Sequence, residues 1–337
     1  MANSKRDTIG LGLESSCDET AAAVVKNGRE VLSSRVFSQI DLHAEYFGVV
    51  PEIASRSHLE TINTLIDSAL AGAGASFSTL DYVAATARPG LIGSLLIAMQ
   101  TAKAISYACR IPLIAVNHLE AHLYAPFLEG REARYPFIGL LVSGGNTAVY
   151  RVEGPGRMLL IGRTADDAAG EAFDKVAKLL QLGYPGGPLI EKLARTAKIR
   201  KALFPKILPD PEDYCRFSYS GIKTAVITYL KANPDADRAE LVYSFQERAL
   251  DLLVRRVFEA ARREKINTIV VAGGVAANGR LREMLAAEAR SDEEVIVPSP
   301  ALCTDNAAMV AGIACPYYLA GSDSGLTADV EARIQDL

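Results

Sequence analysis

The sequence predicts an α/β protein in which one ββ(β)αβαβα unit is written twice, giving two lobes of like build that face each other across a cleft. Three observations predict it. A strand, a polar turn, a second strand, a tight turn and a third strand run through residues 8–38, and the same order returns at 137–163. In each half an apolar strand then runs into a glycine-bearing turn and a long helix, at 81–109 and again at 268–290. Each half closes on one more strand and helix, and the lobes divide at residues 1–133 and 134–337.

Taken in order, Thr8 to Glu14 is an apolar strand, Ser15 to Thr20 a polar turn and Ala21 to Lys26 a second strand. Asn27-Gly28 is a hairpin signal before a third strand, Glu30 to Ser38. A long helix near 50–73 precedes the strand Asp81 to Thr86, the turn Arg88-Pro-Gly90 and a helix from about Leu91 to Cys109. Pro112 to Val116 is a short buried strand entering a helix that carries His118 and His122. The second half repeats this. Its strands are Phe137 to Val142, Ala148 to Val152 and Met158 to Arg163, followed by a long helix near 237–265 and the strand Thr268 to Ala272. A helix from about Ala277 to Arg290, the strand Glu294 to Pro298 and a helix opening near Thr304 complete it.

Bulk properties narrow the field. At 337 residues, 49% of them hydrophobic, the chain is long enough for two ordinary domains with a large core. No apolar run is long enough to cross a bilayer, and Met1 to Asp7 leads into a strand instead of a signal-peptide core, so a cytoplasmic location is expected. Five widely spaced cysteines without a Cys-x-x-Cys pair argue against a disulfide framework and a thiolate zinc site. The net charge of −4 announces no nucleic-acid binding globally. Locally, Lys192, Arg195, Lys198, Arg200, Lys201 and Lys206 have no acidic residue among them, a stripe that suits either a phosphate backbone or a solvated helix face.

His118 and His122 stand one helical turn apart on one face. Imidazoles at that spacing clip a borderline divalent ion such as zinc or iron(II), and a third ligand must come from elsewhere; the alternative is a pair of half-buried histidines satisfied by backbone carbonyls. Zinc peptidases place a glutamate directly after the first histidine. Here Leu119 stands there and Glu120 lies about 100° further round, aimed away from a bound water. The repeat supplies the third ligand: the position equivalent to the histidine helix start holds Cys303-Thr-Asp305-Asn306, and a pseudo-twofold axis would bring Asp305 to the two histidines.

Leu141-Val-Ser-Gly-Gly-Asn146 turns a strand back with two glycines and several amides free to meet a phosphate. Gly273-Gly274-Val-Ala-Ala-Asn278 follows a strand and opens a helix, offering a second backbone surface and an asparagine for a ribose or base. At matching positions of a duplicated fold these loops favour an adenine nucleotide lying between the lobes. Asp166, Asp167 and Glu171 suit a solvated face of the helix carrying Asp174 and Lys175, and Tyr184-Pro-Gly-Gly-Pro188 is a rigid turn. Asp18 and Glu19 sit in the first polar turn, where acids are common and could also orient a substrate or act as a base.

The motifs Glu14-Ser-Ser-Cys-Asp-Glu-Thr20, Gly48 to His58, His118-Leu-Glu-Ala-His122, Leu141-Val-Ser-Gly-Gly145, Asp166 to Lys175, Tyr184 to Pro188, Phe217-Ser-Tyr-Ser-Gly-Ile-Lys-Thr224 and Cys303-Thr-Asp-Asn306 together carry a family resemblance. From about residue 8 to 320 the chain resembles the bacterial tRNA N6-adenosine threonylcarbamoyltransferases, formerly called O-sialoglycoprotein endopeptidases. That family belongs to the actin-like ATPase, Hsp70 and sugar kinase superfamily, with a ribonuclease H-like fold. The resemblance implies transfer of a threonylcarbamoyl group from threonylcarbamoyl-AMP to N6 of adenosine 37 in tRNAs reading codons that begin with A, releasing AMP. It implies one iron or zinc ion on His118, His122 and Asp305, and an adenylate on Leu141, Val142, Ser143, Gly144, Gly145, Asp174, Gly187 and Asn278. Glu191 stands where many relatives have an aspartate that would meet the ribose. The chain also departs from the family at Asn146, Arg88 and Phe47, none of them a proposed metal ligand.

On this reading the metal polarises the threonylcarbamoyl group, the phosphate loop holds the leaving AMP, and Asp18 or Glu19 takes the proton from a flipped-out adenine amine. A shorter paralogue of the same fold and a small P-loop ATPase are the implied partners, docking on the helices near 50–73, with threonylcarbamoyl-AMP supplied by a separate synthase. An ATP-dependent kinase and a non-catalytic nucleotide-binding scaffold remain the alternatives; the kinase has no evident use for a His-His-Asp clip, and the scaffold would tolerate loss of the metal ligands.

Overall fold

The computed structural model describes residues 6–206 and 215–333; Met1 to Lys5 of the leading segment lie outside them. It contains β1 (Ile9–Glu14), β2 (Glu19–Lys26), β3 (Glu30–Ser38), α1 (Pro51–Gly72), β4 (Tyr82–Arg88), α2 (Ile92–Cys109), β5 (Leu113–Asn117) and α3 (His118–Tyr124). Then follow β6 (Phe137–Val142), β7 (Thr147–Gly154), β8 (Arg157–Arg163), α4 (Ala169–Leu179), α5 (Gly186–Ala194), α6 (Ser220–Ala232), α7 (Arg238–Glu264), β9 (Thr268–Ala272), α8 (Gly279–Glu288), β10 (Glu294–Ile296) and α9 (Ala307–Leu319). None of the described helices is long and apolar enough to cross a membrane.

The duplication is plain in the sheets. The first runs β3-β2-β1-β4-β5 and the second β8-β7-β6-β9-β10. In both, the hairpin strands pair antiparallel and the central strand then pairs parallel with its crossover partner. The inner parallel strands β1, β4, β6 and β9 are buried on both faces along most of their length, hence their near-continuous apolar runs.

The first unit gathers the residues up to Glu132 together with those from Thr304 onward. One face of its sheet, with Leu11, Leu13, Val24 and Val83, packs on Ile62 and Ile66 of α1 and Met99 of α2. The other face takes α9, whose residues 307–315 are all buried. The fit is close: a Cβ on Gly12 would stand 2.3 Å from the Ala307 carbonyl oxygen and 2.7 Å from the Ala311 nitrogen. Tyr82 fills the space beside Gly10 and donates its hydroxyl to the Ala311 carbonyl at 2.7 Å.

This corrects the expectation that Asp305 belongs to the second lobe. A helix apolar all round needs burial on every side, and the uncovered face of the first sheet provides it. Asp305 therefore sits in the same unit as the two histidines.

The second unit spans Ala133–Cys303. Its core joins the second sheet to the long helix α7, with Phe173, Phe217, Phe245 and Phe258 fully or almost fully buried. Asp237 caps α7, accepting from the amides of Ala239 at 2.8 Å and Glu240 at 3.1 Å.

Candidate functional site

β5 delivers the chain to α3, and Asn117 caps that helix by accepting from the Leu119 amide at 2.9 Å. The cap fixes His118 as the first helical residue. The rings of His118 and His122 lie with centroids 4.6 Å apart in an edge-to-face arrangement. Asn306 caps α9 by accepting from the Met309 amide at 3.0 Å, and donates its own side-chain amide to the Thr304 carbonyl at 2.8 Å, which locks Asp305 between them.

The three side chains converge. Asp305 Oδ1 lies 3.0 Å from His122 Nε2 and 3.5 Å from His118 Nε2. A cation about 2.1 Å from each ligand atom would space its ligands about 3.0 Å apart at right angles and about 3.4 Å apart tetrahedrally. The two Asp305 spacings fall near these values, the three ligand atoms all lie within 4.8 Å of one another, and two imidazoles with one carboxylate are a donor set that zinc or iron(II) accepts. His122 Nδ1, buried, has no hydrogen-bond partner, so backbone carbonyls do not satisfy this ring. His118, His122 and Asp305 thus form a group that fits a single metal ion.

The surroundings are strongly anionic. Burial alone would raise the Asp305 carboxyl, but the imidazoles of His118 and His122 hold it far below the carboxylate range. Burial alone would lower His118, yet the Asp305 and Glu14 carboxylates push its pKa well above the ordinary histidine value. A positive charge is wanted at this point, and a bound cation supplies one. Burial, with the charges of Asp18 and Asp305, holds the Cys17 thiol well up, so no thiolate competes as a ligand.

Glu14 is the residue sequence reasoning passed over. It closes β1 with no exposure at all, and its Oε2 meets His118 Nδ1 at 3.0 Å and the Thr86 hydroxyl at 2.5 Å. Its Oε1 accepts from the Ser16 amide at 2.6 Å. The available signal was a lone acid ending an apolar strand, which reads as the entry to a surface turn.

Asp18 and Glu19 are placed beside this group, with Glu19 already in β2 and accepting from the Ser38 hydroxyl at 3.1 Å. Burial, then the charges of Asp305 and Asp18, push the Glu19 carboxyl up to about 9. The turn is anchored from below by His58. Its Nε2 donates to the Cys17 carbonyl at 3.0 Å and its Nδ1 accepts from Thr20 Oγ1 at 2.8 Å, and burial lowers its pKa, consistent with a neutral ring. His43 and His58, both fully buried, belong to this scaffold and not to the metal group. Glu120 is buried and holds the Tyr317 hydroxyl through both carboxylate oxygens, at 2.9 and 2.7 Å. It ties α3 to α9 and is turned away from the role a peptidase glutamate would play.

In the second unit, Leu141 and Val142 are buried in β6 while Gly144 and Gly145 are exposed, with open space where a side chain would stand. Ser143 closes the turn, its amide donating to the Asn146 carbonyl at 2.8 Å and its hydroxyl accepting from the Asn146 amide at 3.1 Å. A Cβ on Gly170 would meet this loop at 2.7 Å, and one on Gly273, at φ +93°, would meet the Val142 carbonyl at 2.4 Å. Both glycines therefore let neighbouring backbone close on the loop.

Asp174 accepts from the Gly186 amide at 2.7 Å, beside the open Gly187. Glu191, one turn along α5, accepts from the Gly279 amide at 3.0 Å and from Arg195 at 2.5 Å. Asn278 caps α8 through the Leu281 amide at 3.0 Å and donates to Gln246 at 3.2 Å. Asp174 and Gly187 are thus linked, and so are Glu191 and Asn278, all through α5. The basic stripe differs from a helix face. Helix α5 ends at Ala194, and residues 195–206 are irregular but pinned, with the Leu203 amide donating to Ser244 Oγ at 2.7 Å and Arg248 Nε to the Phe204 carbonyl at 2.9 Å. Lys192, Lys198, Arg200, Lys201 and Lys206 are exposed.

Fold and site define a class before any relative is considered: a duplicated actin-like ATPase fold with a His-His-Asp group gathered where its last helix begins. Among solved structures, HypF from T. kodakarensis is similar in fold, with a TM-score of 0.62 and 16% identity over 95% of this chain and 49% of that one. The sequence model of tRNA N6-adenosine threonylcarbamoyltransferase matches residues 30–312. A protein of that name from Geotalea uraniireducens is 52% identical over 317 residues, covering 93% of this chain and 92% of its own. One from Clostridium perfringens is 46% identical over 332 residues, covering 97% and 98%. The chain belongs to the tRNA N6-adenosine threonylcarbamoyltransferase family.

Proposed function

We propose that this chain transfers the threonylcarbamoyl group from threonylcarbamoyl-AMP to N6 of adenosine 37 in tRNAs reading codons that begin with A, forming N6-threonylcarbamoyladenosine and releasing AMP. The observation that carries this reading is the His118, His122 and Asp305 group in a chain of this family. Those three residues would hold one iron(II) or zinc ion. Such an ion, when bound, supplies Lewis acidity to a carbonyl oxygen.

The rest of the chemistry falls to the chain itself. The amides of Gly144 and Gly145 bind the adenylate phosphate, Ser143 holding the turn that presents them, and the open faces of both glycines admit it closely. Asp174, Gly187, Glu191 and Asn278 orient the nucleoside part of the donor, Glu191 reaching the ribose. An exocyclic adenine amine is a poor nucleophile, so holding it beside the carbamoyl carbon contributes much of the acceleration. Asp18 takes up the proton it sheds, since the Glu19 carboxyl, held up to about 9, already carries one near neutral pH. Exposed lysines between Lys192 and Lys206 meet the tRNA backbone. A shorter paralogue and a small P-loop ATPase complete the working assembly, α1 being the docking face.

The test combines purified chain, unmodified tRNA and threonylcarbamoyl-AMP, with nucleoside mass spectrometry of wild type and His118→Ala. Modified adenosine from the wild type alone supports the reading. Its absence, even after the paralogue and ATPase are added, would sink it.

A further inference from the structure

The ring of His118 is held between two carboxylates, one on each nitrogen. Asp305 stands 3.5 Å from Nε2, on the side where a cation is shared with His122, and Glu14 stands 3.0 Å from Nδ1 on the opposite side. A neutral imidazole carries one N–H and one lone pair, and only the lone pair binds a metal. An ionised carboxylate accepts and never donates, so the nitrogen facing Glu14 must carry a proton. Nε2 is then the nitrogen that faces Asp305 and His122, and the one that exchanges its proton for a cation.

Glu14 is itself fixed. Its two oxygens accept from the Ser16 amide at 2.6 Å, the Thr86 hydroxyl at 2.5 Å and His118, which leaves the carboxylate little freedom to turn. Glu14 and Thr86 are completely buried, and among the described residues no lysine or arginine pairs with the Glu14 carboxylate. A buried carboxylate with no permanent cation beside it is costly to maintain. Two carboxylates joined through an imidazole to one divalent ion make a far better balanced set.

We propose that Glu14 is the positioning residue of the metal group: it holds a proton on Nδ1, fixes the ring orientation of His118 and so makes Nε2 the ligating nitrogen. This rests on the metal reading of His118, His122 and Asp305. Carboxylates placed behind ligating histidines typically govern metal affinity by 10- to 100-fold.

The test uses the full chain stripped with chelator and titrated with zinc(II), and with cobalt(II) as a spectroscopic probe. Wild type, Glu14→Gln, Thr86→Val and His122→Ala are compared, with thermal unfolding of the metal-free proteins as the fold control. In Glu14→Gln the glutamine must turn its amide nitrogen toward one of the three donors, so zinc affinity should fall about 10- to 100-fold while metal-free unfolding stays close to wild type. Thr86→Val touches no ligand and only frees Glu14 Oε2, so a smaller loss is expected; it decides the matter should Glu14→Gln not fold. Wild-type protein that binds no zinc would overturn the metal reading and this inference with it. Zinc bound tightly by wild type, lost in His122→Ala, and held equally well by folded Glu14→Gln and Thr86→Val would overturn the role of Glu14 alone.

Discussion

Replacing Gly12 with alanine asks for a methyl group where the last helix already stands. The new carbon would lie 2.3 Å from the Ala307 carbonyl oxygen, 2.7 Å from the Ala311 nitrogen and 2.9 Å from the Ala311 Cβ. A carbon to oxygen contact relaxes only beyond about 3.3 Å, so α9 must retreat by about 1 Å or β1 must bow by as much. Backbone on both sides leaves no flexible side chain to absorb it, and overpacking of this kind costs about 1–3 kcal/mol. The retreat also reaches the metal group, because Asp305 stands two residues before Ala307. Spacings of 3.0 and 3.5 Å to the histidines would open by a similar amount, beyond what a cation about 2.1 Å from each ligand can span. Gly12→Ala should therefore unfold at lower urea concentration and bind zinc at least tenfold more weakly, though it alters no ligand. The assays are urea unfolding followed by circular dichroism and zinc titration of the chelated protein. Wild-type stability with wild-type affinity would show that α9 does not set the site.

Three further outcomes are expected. Glu19, pushed up to about 9, has a folded pKa above its unfolded one, so the stability it contributes relative to a neutral side chain is lost as pH rises from about 4.5 toward 9. In metal-free protein Glu19→Gln should match wild type near pH 4.5 and exceed it by on the order of 1–2 kcal/mol at pH 8, the figure discounted for partial exposure; equal pH profiles by thermal unfolding would contradict this. Asn278→Ala should lose about 1 kcal/mol as the cap of α8 disappears, and Asn278→Asp should regain that stability without regaining adenylate affinity. Recovery of both by aspartate, read by calorimetry with an adenine nucleotide, would remove Asn278 from the nucleotide contacts. Charge reversal of Lys198 and Lys201 should weaken tRNA binding at least tenfold and flatten its dependence on salt by about 1–2 in the logarithmic slope, as read by filter binding; unchanged affinity would assign the stripe to solvent.

The sheets were legible because their signals are local. Apolar runs, Asn27-Gly28 and Gly154-Pro-Gly156 mark strands and turns wherever they occur, and a repeated order of such marks forecasts two sheets of one topology. Asp305 could be matched to His118 on the same grounds. The unit to which Asp305 belongs could not be read, since α9 is apolar on all sides and its pattern names no facing surface. Glu14 escaped because its meaning depends on Thr86 and His118, 72 and 104 positions away. The end of α5 was left open for a more local reason. Thr196 returns both its amide and its hydroxyl to the Leu193 carbonyl, the latter at 2.7 Å, and so competes with the next turn of helix in a stretch whose charges suited a phosphate backbone or a solvated helix face alike.

The return of α9 to the first sheet also dictates when the molecule can become itself. His122 and Asp305 are 183 positions apart, so a chain emerging from the ribosome carries both histidines long before their partner exists. Through that interval the face of the first sheet bearing Gly10, Gly12 and Tyr82 lacks the helix that covers it, and such a surface invites wrong associations. A product cut short before Thr304 would keep all ten strands, yet hold neither a finished core in the first unit nor three ligands. Arrival of α9, sealing of the sheet and readiness for the ion are one event.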